Sequence, residues 1–94
     1  MLSKKVEDAL NAQINAELWS SYLYLSMSAH FAADGKAGFA NWFRVQASEE
    51  KGHAMKLFDY IVSRSGKVDL QPITEVPKSW NSPLAVFEAS LKHE

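Results

Sequence analysis

Gln46-Ala-Ser-Glu-Glu-Lys-Gly-His53 decides the fold, because Glu50 and His53 stand three residues apart within it. In a helix that spacing brings a carboxylate and an imidazole to the same face. The surrounding residues say which face it is. Phe39, Trp42, Phe43, Gln46, Glu50, His53, Leu57, Tyr60 and Ile61 recur at steps of three and four, forming one helical stripe. The pair therefore points into the protein. Ionisable groups there must be neutralised, paired or bound to a metal, since an isolated buried charge is very costly. Glu-x-x-His on the inner stripe of a long helix is the pattern by which carboxylate-rich helical bundles hold paired metals.

Working outward towards the amino terminus, residues 3 to 33 contain no proline and no glycine. Val6, Leu10, Ile14, Glu17, Ser21, Tyr24, Ser28 and Phe31 keep a heptad-like spacing across this stretch, which predicts one long helix of roughly 45 Å. Ser3 is its N-cap, although Lys4 and Lys5 oppose the dipole in the first turn. Asp34-Gly35-Lys36 breaks the pattern, and so short a connection makes the helix from about 38 to 65 an antiparallel neighbour. Glu17 and Glu50 each lie about seventeen residues from that turn, so the hairpin brings them to one level. A charged residue in mid-stripe is a poor choice for packing alone. Tyr24 shares the face of Glu17, nearer the turn. Trp19, Leu23 and Met27 form a second apolar line on the first helix, which predicts a subunit interface there.

Gly66 suits the left-handed position just past the second helix. Residues 66–81 then include Pro72 and Pro77, with Val68, Leu70, Ile73 and Val76 spaced as an extended segment lying on a surface. The stretch is too long for a tight turn. It reads as a crossover travelling the bundle, which sets the third helix, from about 82 to 94, parallel to the second. Ser82 caps that helix and Pro83 takes its first position, and Leu84, Phe87 and Leu91 open a third stripe. The fold class is all-α: a long antiparallel hairpin plus the start of a third helix. Two long helices and a short third cannot enclose a core. The expectation is a piece of a longer protein, or a chain completed by a second polypeptide.

Composition excludes other classes. Ninety-four residues make one small domain, and a net charge of −1 with scattered basic residues offers no field for nucleic acid. The absence of cysteine removes disulfide, thiol and cysteine–zinc chemistry. No apolar run approaches a membrane span and the start has no signal core, so the reading is a soluble cytoplasmic protein. Carboxylates with an imidazole and no thiolate favour iron or manganese over structural zinc or an all-oxygen calcium cage. His30 and His93 have no spacing partner and read as ordinary polar residues. A metal-free helical assembly module is the alternative, with Glu17, Glu50 and His53 hydrogen-bonded in a polar layer. A symmetric di-iron protein made by two hairpins is a further one.

Leu10-Asn-Ala-Gln-Ile-Asn-Ala-Glu17, Ser21-Tyr-Leu-Tyr24, Gly38-Phe-Ala-Asn-Trp-Phe43, Gln46 to Ala54, and Ser82-Pro83 leading to Phe87 and His93-Glu94 together resemble the amino-terminal half of a prokaryotic non-haem ferritin. The resemblance covers the whole chain and implies part of a four-helix bundle with a long crossover. It implies that Glu17, Glu50 and His53 form one iron site, that Glu50 bridges to a second iron held by Glu94, and that Tyr24 stands close by. Glu49 matches a ligand of a third iron site in some bacterial members. No methionine stands where bacterioferritins bind haem, Gly52 and Ala54 flanking His53, so no haem is implied. The implied activity is ferroxidase: ferrous iron is oxidised by O2 or peroxide and stored as ferric mineral inside a twenty-four-subunit cage. A cage requires the carboxy-terminal helices that this chain lacks.

Overall fold

A computed structural model describes residues 1–94. It contains three helices, α1 (Lys4–Ala33), α2 (Ala37–Ser63) and α3 (Pro83–His93), and no strand. The Ser3 hydroxyl accepts from the Val6 N–H at 3.2 Å. Lys4, unfavourable to the dipole, is paired instead with Asp8 at 3.0 Å. At the other end Gly35 takes φ 74°, while the Lys36 N–H reaches back to the Phe31 carbonyl at 2.9 Å and closes the helix.

The hairpin register is written in serines. Ser21 Oγ donates to the Ala47 carbonyl at 2.7 Å, and Ser28 Oγ to the Ala40 carbonyl at 2.6 Å. Alanines at 40, 47 and 54 keep one edge of α2 narrow, so α1 approaches closely enough for these bonds. That explains hydroxyls in a buried stripe. The same register leads from Ser21 and Ala47 to Glu17 and Glu50. Two apolar clusters flank this level. Leu23, Tyr24, Met27, Phe31, Ala40, Phe43, Ala47 and Val86 lie on the turn side, and Ile14, Ala54 and Ile61 on the other.

α2 ends differently from the glycine rule. Ser65, not Gly66, adopts the left-handed conformation, with φ 61°. The N–H of Gly66 bonds to the Ile61 carbonyl at 2.9 Å, and that of Ser65 to Val62 at 3.1 Å. Gly66 is needed for space: a Cβ there would lie 2.9 Å from Ile61 Cγ2 and 3.0 Å from Glu7 Oε1. The chain must come this close because Glu7 Oε1 accepts the Lys67 N–H at 2.6 Å to start the crossover. We expect Ser65→Gly to raise stability by about 1 kcal/mol, by relieving the left-handed strain. Gly66→Ala should lower it by about 1–3 kcal/mol through overpacking. Urea melts of the two variants check both signs.

Residues 67–81 run along α1 in the direction of that helix, pegged by its polar side chains. Asn11 donates to the Lys67 carbonyl at 3.0 Å and accepts from the Asp69 N–H at 2.8 Å. Trp19 Nε1 donates to the Glu75 carbonyl at 3.3 Å, Ser26 Oγ donates to the Pro77 carbonyl, and His30 meets the Trp80 ring edge-on. The segment therefore reaches the turn end of the hairpin, where α3 starts and runs back parallel to α2. The Ser82 hydroxyl caps α3 by accepting the Ala85 N–H at 3.1 Å.

The Trp19, Leu23 and Met27 line is covered from within the chain. Leu23 and Met27 are buried, and Trp19 packs on the crossover and on α3. The expected subunit interface there is corrected: a crossover lying on α1 buries a second face without a partner. The stripe on α2 is also narrower than its spacing suggests. Phe43 and Ile61 are fully buried, whereas Phe39, Trp42 and Tyr60 are exposed by 43–48%. Three helices leave that side of the bundle open.

Candidate metal centre

Glu17 comes from α1, and Glu50 and His53 from successive turns of α2. One ligand atom from each lies within 4.8 Å of the others. His53 Nδ1 stands 3.7 Å from Glu17 Oε2 and 3.7 Å from Glu50 Oε2. Those separations are too long for hydrogen bonds. They suit atoms converging on one ion, since oxygen and nitrogen donors about 2.1 Å from a shared metal stand about 3–4 Å apart. The two carboxylates are mostly shielded, with side-chain exposures of 19% and 18%, while His53 is open to solvent at 56%.

The carboxylates cannot both ionise freely. A shared hydrogen bond with Glu17 pushes Glu50 up to about 7, with burial and the Glu17 charge adding to the effect. The same bond holds Glu17 below its ordinary value. Between pH 4.5 and about 7 the metal-free pair thus carries one proton, on Glu50, with Glu17 as the anion. The amide of Gln13 steadies that anion by donating to Glu17 Oε1 at 3.0 Å. A cation in the pocket would take the place of this proton.

The linkage has a definite sign. Between pH 4.5 and about 7 the folded chain holds a proton on Glu50 that the unfolded chain has released. The contribution of Glu50 to stability therefore falls as pH rises through that window. Glu17, shifted the other way, loses its contribution only below its own ordinary range. We expect the melting temperature of the chelator-treated protein to drop less between pH 5.5 and 7.5 in Glu50→Gln, which keeps the shape and cannot ionise. Calorimetry in the two buffers checks this.

Glu94, Ser20 and His93 line the same open pocket of about 410 Å3 as the three clustered residues. Tyr24 donates its hydroxyl to Glu94 Oε2 at 3.1 Å, and burial pushes that hydroxyl up to about 12, so it remains a donor. Glu94 lies beside the cluster rather than within it. Glu49 is exposed and does not line the pocket. Sequence reasoning passed over Gln13, Ser20 and His93. Gln13 stands one helical turn before Glu17, and His93 adjoins Glu94; both are neighbours of residues already singled out.

Two carboxylates and an imidazole presented by facing helices to one point, with a further carboxylate arriving from a third, are the arrangement that helical bundles with carboxylate metal centres use to hold paired ions. Comparison with known proteins narrows that class. The ferritin family model, described as the ferritin-like domain, matches residues 7–94, and the chain belongs to that family. The bacterial non-heme ferritin of Bacteroides fragilis (strain 638R) is 49% identical over 94 residues, which are 100% of this chain and 59% of that protein. The bacterial non-heme ferritin of Staphylococcus aureus (strain USA300) is 35% identical over 100% of this chain and 57% of its own length. Among solved structures, the open-pore ferritin of the hyperthermophilic archaeon Archaeoglobus fulgidus matches with a TM-score of 0.95 at 52% identity, over 99% of this chain and 57% of that one. The chain thus spans about three-fifths of the length of these curated relatives. Its three helices are a partial ferritin four-helix bundle.

Proposed function

We propose that this chain forms the amino-terminal part of an iron-storage subunit that oxidises ferrous iron at the Glu17, Glu50 and His53 cluster. The observation that carries the reading is the convergence of those three ligand atoms within 4.8 Å, at a level between two apolar clusters. Nothing in the packing of the hairpin requires carboxylates there, and their mutual repulsion opposes it. Iron is the substrate and the cargo. Mixed oxygen and nitrogen ligands with positions left open suit its ferrous form. Glu17 and His53 hold the first ion, Glu50 bridges, and Glu94 binds the second with Tyr24 donating to its carboxylate.

Each ferrous ion gives up one electron. A bridged pair therefore delivers two electrons to one O2, which leaves as hydrogen peroxide after taking two protons; with peroxide as oxidant the products are two waters. The ferric product then moves to mineral inside a cage of twenty-four subunits, a self-association that needs the remaining helices of a full-length subunit. Glu49, exposed beside the centre, serves a third iron. No helix is long and apolar enough to cross a membrane, in keeping with iron detoxification in the cytoplasm.

Stopped-flow mixing of anaerobic protein and ferrous iron with aerated buffer tests the reading. The expected result is rapid oxidation at about two irons per O2, slowed to the rate of protein-free buffer in Glu17→Ala. Equal rates with and without wild-type protein would contradict it.

A further inference from the structure

α3 reaches the metal centre only through its last turn. Its packed residues, Val86, Phe87, Ala89 and Ser90, run from its first turn into its last, and Ser90 is the last of them to be buried. Glu94 is its C-cap, and the Glu94 carboxylate is held by one hydrogen bond from Tyr24 at 3.1 Å. A single bond to a flexible side chain does not fix the backbone that carries it. His93, immediately before, supplies what is missing. His93 Nε2 lies 2.7 Å from Ser20 Oγ, in hydrogen-bond contact. Its ring packs 5.4 Å from that of Trp19 and edge-on to Tyr24 at 5.8 Å. Ser20 stands on α1 one turn after Glu17 and one turn before Tyr24, on their shared face. The pair therefore ties the end of α3 to the turn of α1 that carries the first-site carboxylate.

We propose that the Ser20–His93 hydrogen bond is a latch that positions Glu94 for the second iron. His93 acts through Glu94 and supplies no ligand atom of its own. The proposal rests on Glu94 being a ligand, as the proposed function has it. It makes the two irons unequal: the Glu17 and His53 position is built by the hairpin alone, whereas the second depends on the latch.

Anaerobic ferrous titration of the full-length protein, followed by calorimetry, separates the two sites. His93→Phe keeps a ring between Trp19 and Tyr24 and removes only the hydrogen bond, and Ser20→Ala removes the other partner with a good helix former. We expect each to weaken the second iron roughly five-fold, the size of one net hydrogen bond, and to leave the first within two-fold. The double variant should be no worse than either single one, because both remove one interaction. His93→Gln, which restores a hydrogen-bonding group, should recover most of the loss. In a metal-free crystal structure of Ser20→Ala, the Glu94 carboxylate should leave Tyr24. Unchanged affinity for the second iron in both single variants, or equal weakening of both irons, would overturn the latch. Wild-type protein that takes up no iron would instead sink the functional reading on which the latch stands, and is told apart by that control.

Discussion

Glu50→Ala and His53→Ala are each expected to reduce ferrous affinity by more than about 100-fold, because removing an outer partner of a metal ligand already costs 10–100-fold and these residues are proposed as ligands themselves. The two variants differ in an informative way. His53→Ala removes an exposed imidazole from one ion, so one weakened iron per subunit persists. Glu50→Ala removes the bridge and with it both positions, and oxidation falls to the rate of buffer. Glu50→Ala also removes the hydrogen bond that holds Glu17 below its ordinary value, so the metal-free variant loses that one interaction and keeps its fold. Loss of iron without loss of fold distinguishes a ligand from a structural residue. Anaerobic titration and a thermal melt on the same samples check both halves.

Phe43→Ala has the opposite character. Phe43 is fully buried, with ring centroids at 5.7 Å from Phe31, 5.2 Å from Phe87, 5.0 Å from Trp42 and 6.1 Å from Tyr24. With Phe31, Phe39 and Phe87 it forms the aromatic cluster that joins α1, α2 and α3. Its truncation is expected to cost about 3–5 kcal/mol, from lost burial and the cavity left among aromatic neighbours that cannot collapse onto it. In a chain of this size that lowers the melting temperature by roughly 12 °C or more. Leu91→Ala, at a position 78% exposed, should stay within about 0.5 kcal/mol. Differential scanning calorimetry separates the two. A Phe43→Ala variant as stable as Leu91→Ala would mean that the three helices do not share this core.

Most of the hairpin was legible because its signals are periodic and local. The Glu17 and Glu50 levels follow from counting residues on either side of Gly35, and the serine bonds at Ala40 and Ala47 hold that register. The crossover was legible from its prolines and its length. What escaped the sequence depends on which surfaces meet. Gly66 looked like a left-handed cap, and only the approach of Ile61 and Glu7 shows why Ser65 takes that conformation while Gly66 provides room. Trp19 looked like an interface residue, because no periodicity reveals that Glu75 lies over it. His93 looked ordinary because its partner Ser20 is distant in sequence and is reached only when α3 folds back beside α1.

The claim that Glu17, Glu50, His53 and Glu94 hold a pair of irons is tested most directly by native mass spectrometry of the purified protein, with and without ferrous iron added under anaerobic conditions. It weighs the assembly and counts the metals together. The prediction is mass gained in steps of two irons per subunit, saturating at the centre before any mineral forms. No bound iron at any ratio, with the oligomeric state unchanged by its addition, would contradict the account and leave only a helical scaffold.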